Sequence, residues 1–264
     1  MKKILFLFCL ASGCFVQQGG CQDPPTSVRK PLIIILFGTP GTGPGDFALR
    51  ISDEMSLPLI STSSLVQAYL TQESPIGASV RETFNTHGSI PDKLLLDMTY
   101  DYIQKRENRS DFILDGIPRT LAQAQSLQKD LSPQFRILCI YIQVKDAAII
   151  QIKSGRVICP NCGRVYHKEF SPPDDPLTCD QCDSALKQLE DDVRENVVLR
   201  LNDFHKRATP IFDFFKKEKC FAEIDSTAYV GEEFRDLVNA EIRRTIERFD
   251  IDSTRALKLE VMLS

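Results

Sequence analysis

The sequence has no surplus of positive charge: 32 Lys and Arg stand against 36 Asp and Glu, a net charge of -4 over 264 residues. Nucleic-acid binding needs clustered Lys and Arg to neutralise phosphates, so no nucleic-acid partner is expected. There is no internal repeat and no low-complexity tract, which sets aside solenoids. The apolar run from Ile4 to Ala11 falls well short of the roughly 20 residues that cross a bilayer as a helix. Histidine is scarce as well. His87 precedes Gly88 and His205 lies in a helical pattern, positions that read as surface or satisfied core rather than as catalysts. With 42% apolar residues, what remains is an ordinary globular protein of one large domain, or a domain with an insertion.

What is present begins with a leader. Lys2 and Lys3 precede the apolar run, and small residues follow it, the layout of a secretory signal peptide over residues 1–14. Leu10-Ala11-Ser12-Gly13-Cys14 resembles a lipoprotein signal with Cys14 acylated, which implies export and a lipid anchor at Cys14 as the one membrane contact. The competing reading is a misassigned start, with the protein beginning near Val28 and cytoplasmic. Residues 15–31, with Gly, Gln, Asp and paired prolines, read as a polar tether.

From Leu32 onward, short continuous apolar runs alternate with helical patterns. The runs are Leu32 to Phe37, Asp111 to Leu114, Ile137 to Val144 and Cys220 to Ile224, and the helices include Lys93 to Lys105 and Leu121 to Leu131. Strands buried on both faces read as unbroken apolar runs, so the pattern predicts a parallel sheet with helices on both faces. Cys139 and Cys220 fall in these runs and read as inert core. The stripe Val193, Val197, Val198, Leu201, Phe204 and Ala208 predicts a helix. The tail after Phe249 alternates charged and apolar residues, as a short strand or a loose end would.

The first strand runs straight into FGTPGTGPGDF, Phe37 to Phe47. Gly38, Gly41, Gly43 and Gly45 have the spacing of a loop whose backbone N–H groups converge on phosphate at a helix N-terminus. Such a loop also needs a lysine for charge and a hydroxyl for magnesium, and Pro44 and Asp46 occupy those two positions. Proline removes both the cation and a backbone donor, yet it is tolerated in a helix's first turn, where an aspartate also favours the dipole. The fold should therefore survive while phosphate chemistry suffers, with Asp46 as a stand-in for the missing phosphate.

Between Cys159 and Leu189 the pattern breaks into Pro, Gly, Asp and Cys. Cys159, Cys162, Cys179 and Cys182 form C-x2-C-x16-C-x2-C, the spacing of a closed four-thiolate zinc site that is structural because it leaves no open position. Two disulfides are the alternative if the chain is exported.

These segments, with LPLISTSSL (57–65), FILDGIPRTLAQ (112–123) and LEDDVRENVVLRL (189–201), resemble the adenylate kinase family from Leu32 to about Arg248. The resemblance implies a P-loop NTPase-like α/β domain over 32–264, with a helical AMP-site region at about 61–90 and a zinc-type lid at about 156–190. It implies ATP and AMP as partners, magnesium with the nucleotide, structural zinc and a monomer. Thr62 and Gln123 match positions that recognise the adenine of AMP, and Arg119 a phosphate-binding arginine. Asp115 matches the carboxylate near magnesium, and Arg200 an arginine on the transferring phosphate. His167 matches the lid pattern and would order it. Other positions depart from the family. Ser63-Ser64 replace Gly-Asp, while Gln67, Gln151, Gly155 and Leu189 stand where arginines would grip phosphates. A hinge register shifted by one would let Arg156 replace one of them. Phosphoryl transfer rests on positioning and charge neutralisation, so the expectation is an impaired relative that binds nucleotide or acts as a scaffold, the alternative being an active kinase.

Overall fold

A computed structural model describes residues 29–87, 90–105, 110–227 and 234–263, without the side chains of residues 87 and 252–263. The leader, Cys14, most of the tether and the His87 side chain lie outside these residues. Among the described residues, no helix is long and apolar enough to cross a membrane.

In chain order the elements are β1 (Leu32–Gly38), α1 (Pro44–Met55), β2 (Leu59–Ser61), α2 (Thr62–Thr71), α3 (Pro75–His87), α4 (Asp92–Lys105), β3 (Phe112–Asp115) and α5 (Leu121–Leu131). There follow β4 (Arg136–Gln143), α6 (Asp146–Ser154), β5 (Arg156–Ile158), β6 (Val165–His167), a 3-10 turn at Glu190–Asp192, α7 (Arg194–Lys217), β7 (Phe221–Asp225) and α8 (Phe234–Leu263). Five strands form one all-parallel sheet in the order β2-β3-β1-β4-β7. The alternation of runs and helices predicts such a parallel sheet, and the architecture is the P-loop NTPase-like one that the resemblance implies.

The side-chain alternation of β1 explains why the sheet needs cover on both faces. Ile33 and Ile35 join Leu65, Met98, Leu127 and Phe215 on one side. Ile34 and Leu36 join Phe47, Ile51, Val238 and Ile242 from α1 and α8 on the other. Cys139 and Cys220 are buried as expected, and burial pushes both thiols up, Cys220 to about 12.

One element was not anticipated and one expectation needs correction. The short β2 lies inside LPLISTSSL and gave no strand signal of its own, because only three residues pair with β3. The tail after Phe249 is neither a strand nor loose, since α8 continues through it. Phe234, Val238, Ile242, Ile246 and Phe249 recur at helical spacing against the sheet, and helix propagation carries the turn onward once that stripe is docked.

Between α6 and α7, β5 and β6 pair antiparallel with Arg156 opposite His167. Single bridges join Ile158 to Lys187 and Thr178 to Ala185, and Val157, Cys159, Tyr166 and Cys179 form a separate small core.

Candidate functional site

The glycine-rich loop closes the C-terminal edge of β1 and starts α1. Gly43 caps the helix in the left-handed region at φ 73°, Pro44 takes the first helical position and Asp46 lies in the first turn. Gly41 has φ 103°, so both glycines hold backbone that other residues adopt only with strain. At Gly38 a Cβ would fall 2.4 Å from Thr42 Oγ1. The loop is pinned from below by Thr39, which is fully buried, hydrogen-bonded to the Tyr141 hydroxyl at 3.0 Å, and accepts from the Val144 N–H at 3.2 Å. Thr39 and Tyr141 carry no motif signal, and sequence reading passed over both.

Asp46 does not serve as an internal phosphate. Its side chain is 68% exposed and faces Arg235 at 3.9 Å. Among the described residues, no loop amide donates to its carboxylate, and its own N–H donates to the Gly43 carbonyl at 3.0 Å. Its Oδ2 lies 3.1 Å from where a Cβ on Gly43 would sit, but an exposed carboxylate in water gains little from the loop's dipoles.

Asp115 ends β3 beside the loop, its Oδ2 3.5 Å from where a Cβ on Gly45 would sit. Burial raises its pKa above the usual carboxylate range, against the opposing pull of Arg119 and the Gly116 amide. Asp115 and Arg119 line one cleft of about 190 Å³ with Phe37, Gly38, Phe204 and Arg207. Arg207 is a second cation there, supplied by α7 and unmarked by any motif.

The three residues matched to AMP recognition come together as one hydrogen-bonded set. Arg119 Nη2 donates to Thr62 Oγ1 at 2.9 Å, Arg119 Nε donates to the Gly116 carbonyl at 2.9 Å, and the Arg119 N–H donates to Gln123 Oε1 at 2.6 Å. Gln123 is buried, and its Nε2 reaches the Asp92 carbonyl at 3.5 Å. In this arrangement its amide is engaged internally. Ser63 and Ser64, in place of Gly-Asp, hydrogen-bond to Ser61 Oγ, which caps α2 through the Ser64 N–H at 3.1 Å. Gln67 is exposed on α2.

Arg200 is not brought to that cleft. It pairs with Asp191 at 3.2 Å at the edge of the lid. Arg156 is likewise engaged: its Nε lies 2.6 Å from Asp192, whose side chain is 1% exposed. Through that contact it ties the lid's first strand to the 3-10 turn. At the two other hinge positions, Gln151 donates to Glu169 at 2.9 Å, and Gly155 faces the His167 ring so closely that a Cβ would lie 2.3 Å from Cε1 and Nε2. His167 thus orders the lid base, as the pattern suggested. His205 is a satisfied residue, its Nε2 2.9 Å from Asp146.

The four lid cysteines converge, with all four Sγ atoms within 4.8 Å of one another. Cys159 and Cys182 are 3.4 Å apart and Cys162 and Cys179 3.6 Å, and all four are free thiols. Tetrahedral zinc with bonds of about 2.3 Å requires sulfurs roughly 3.8 Å apart, so this donor set fits zinc, whereas disulfide sulfurs would be about 2.05 Å apart.

One further cation was missed. Lys153, in the last turn of α6, places its Cε 2.9 Å from where a Cβ on Gly41 would sit. Its only signal in the sequence is a basic residue two positions beyond Gln151.

Comparison with known proteins agrees with this geometry. A family model described as adenylate kinase matches residues 36–220. Curated proteins named adenylate kinase are similar to this chain over most of both lengths. The one from Clostridium perfringens strain 13 is 32% identical over 209 residues, 78% of this chain and 96% of that protein. The one from Caldanaerobacter subterraneus subsp. tengcongensis is 35% identical over 209 residues, 78% and 95%. The one from Clostridium beijerinckii is 33% identical over 204 residues, 76% and 94%.

Proposed function

This chain belongs to the adenylate kinase family, and from that premise we propose that it is a nucleotide-binding protein strongly impaired in phosphoryl transfer between ATP and AMP. The first turn of α1 carries this reading. The loop backbone keeps its phosphate-cradling shape, while Pro44 withholds a donor and a cation and Asp46 adds negative charge. Losing one oriented donor to a developing charge costs about 2.7–4 kcal/mol, or roughly 10²–10³ in kcat. Here a donor and a cation are lost together. The hinge supports the same conclusion, since Gln151 and Gly155 hold a carboxylate contact and a histidine ring where the resemblance implies arginines.

The opposite end supports retained binding. Thr62, Arg119 and Gln123 form one connected set, with Arg119 lining the cleft, at positions where the resemblance implies AMP recognition. Asp115 is the carboxylate that would accompany magnesium on a bound nucleotide. Cys159, Cys162, Cys179 and Cys182 would hold zinc, which when bound supplies a fixed cross-link that replaces a larger lid core.

The second reading, an active kinase, is favoured by the cations Arg119 and Arg207 that still line the cleft with Asp115. ADP formation from ATP and AMP with magnesium separates the two. Turnover within the ordinary range of about 1–100 per second would overturn the impaired reading. The expected result is turnover lower by at least two orders of magnitude, with AMP binding retained.

A further inference from the structure

We propose that Lys153 takes over the charge of the missing loop lysine, meeting the phosphate loop at Gly41 from the last turn of α6 and binding the terminal phosphates of a nucleoside triphosphate. The proposal rests on the nucleotide-binding reading and specifies the residue that would hold the triphosphate end.

The topology makes this placement available. β4 lies beside β1, with Phe37 opposite Tyr141 and Gly38 opposite Ile142, so α6 emerges next to the loop. Ile149 and Lys153 are one turn apart on that helix and both face Gly41, with Ile149 Cγ2 3.4 Å and Lys153 Cε 2.9 Å from the space a Cβ would occupy. The glycine therefore admits the lysine stem to the loop's own backbone.

Two carboxylates, Asp192 and Asp191, and two arginines, Arg156 and Arg200, act on the Lys153 ammonium. Asp192 is paired with Arg156 and Asp191 with Arg200. Among the described residues, Lys153 itself makes no hydrogen bond or ion pair. Partial burial, and then the neighbouring Arg156, lower its pKa below the usual lysine value. A half-buried cation that holds no direct ion pair gains from an arriving anion, and the adjoining loop has the backbone of an anion cradle. The contact restores charge but not chemistry, because Pro44 still withholds its N–H from the cradle.

The plain structural alternative is that the lysine stem merely covers Gly41 and Ile149 while the head group stays in water. Lys153→Met keeps the stem and removes the charge, and Lys153→Arg keeps the charge. Wild type and both variants would be titrated calorimetrically with magnesium ATP, AMP and inorganic tripolyphosphate, and their thermal midpoints compared. Losing a charge-assisted contact should weaken ATP and tripolyphosphate binding to Lys153→Met by roughly ten- to hundredfold. AMP affinity and thermal midpoint should not change, and Lys153→Arg should recover most of the loss. Unchanged ATP affinity in Lys153→Met overturns the inference and leaves the nucleotide-binding reading intact. An equal loss of AMP affinity, or a lowered midpoint, also overturns it by showing a structural prop. Tripolyphosphate bound through Lys153, with neither nucleotide bound, supports the anion contact while removing the nucleotide-binding reading. A wild-type protein that binds none of the three overturns both.

Discussion

Replacing Gly155 by alanine should destabilise the lid base by about 2 kcal/mol, and that cost should disappear once His167 has been removed. Backbone strain is not the cause, because Gly155 sits at φ -88° and ψ -10°, ordinary helical territory where alanine is favoured over glycine by about 0.5–1 kcal/mol. The obstacle is the imidazole. A Cβ would lie 2.3 Å from its Cε1 and Nε2 and 3.1 Å from its Cδ2, so the ring must move by about 1 Å to reach normal contact distance. Three hydrogen bonds and a stack oppose that shift. The Glu169 and Phe170 amides donate to Nδ1 at 3.1 Å each, Nε2 meets the Gln151 carbonyl at 3.3 Å, and the ring stacks on Phe170 at 4.3 Å. Forfeiting about two of those bonds at about 0.5–1.5 kcal/mol each, with part of the stack, gives about 2–3 kcal/mol, which the helical gain of alanine reduces to about 2. Urea denaturation of wild type, Gly155→Ala, His167→Ala and the double variant would measure the coupling directly. Amide exchange at Lys168, whose N–H donates to the Gly155 carbonyl at 2.8 Å, would localise it. Equal costs for Gly155→Ala in the wild-type and His167→Ala backgrounds would refute the reasoning, and so would a wild-type-like Gly155→Ala. The same clash implies that an arginine at this position cannot reach the nucleotide without first evicting His167.

Two other expectations follow from the site. Protein purified under reducing conditions should carry one equivalent of zinc, and chelation or Cys162→Ser should lower the thermal midpoint and expose the lid thiols to alkylation; a chelator-insensitive midpoint in metal-free protein would count against the zinc site. Asp115→Asn should stabilise the fold at pH 7, because burial raises the pKa of Asp115 and so disfavours its charged form. A raised pKa means that the favourable contribution of Asp115 is complete below the unfolded value of about 3.9 and is lost as pH rises through the folded value. The advantage of asparagine should therefore shrink as pH falls toward 4, and urea midpoints at pH 7 and pH 4 would reveal an advantage that stays constant instead.

The parts legible in the sequence were those in which local pattern and tertiary role coincide. β1 is legible because a strand buried on both faces must be apolar throughout. The phosphate loop is legible because its positive φ angles at Gly41 and Gly43 require glycine, and the cysteines because ligand spacing fixes a closed thiolate site. β2 and the tail of α8 were not, the first because three residues carry too little pattern and the second because its helical period is set upstream of Phe249. At the site, the absence of arginines could be read from the sequence, but what replaced them could not. The His167 ring against Gly155, the Arg156 pair with Asp192 and the Lys153 stem over Gly41 are contacts between segments that only the fold brings together. They change what the missing arginines mean. The hinge positions Gln151 and Gly155 are held by a paired and a packed neighbour, so restoring a cation there alone removes an existing interaction before any phosphate contact can form. On the impaired reading, recovery of transfer activity should require paired changes: Pro44→Lys with Asp46→Thr in the loop, and Gly155→Arg only together with replacement of His167. The loop pair alone should improve ATP binding more than turnover, since charge returns to the cradle while the hinge positions remain filled.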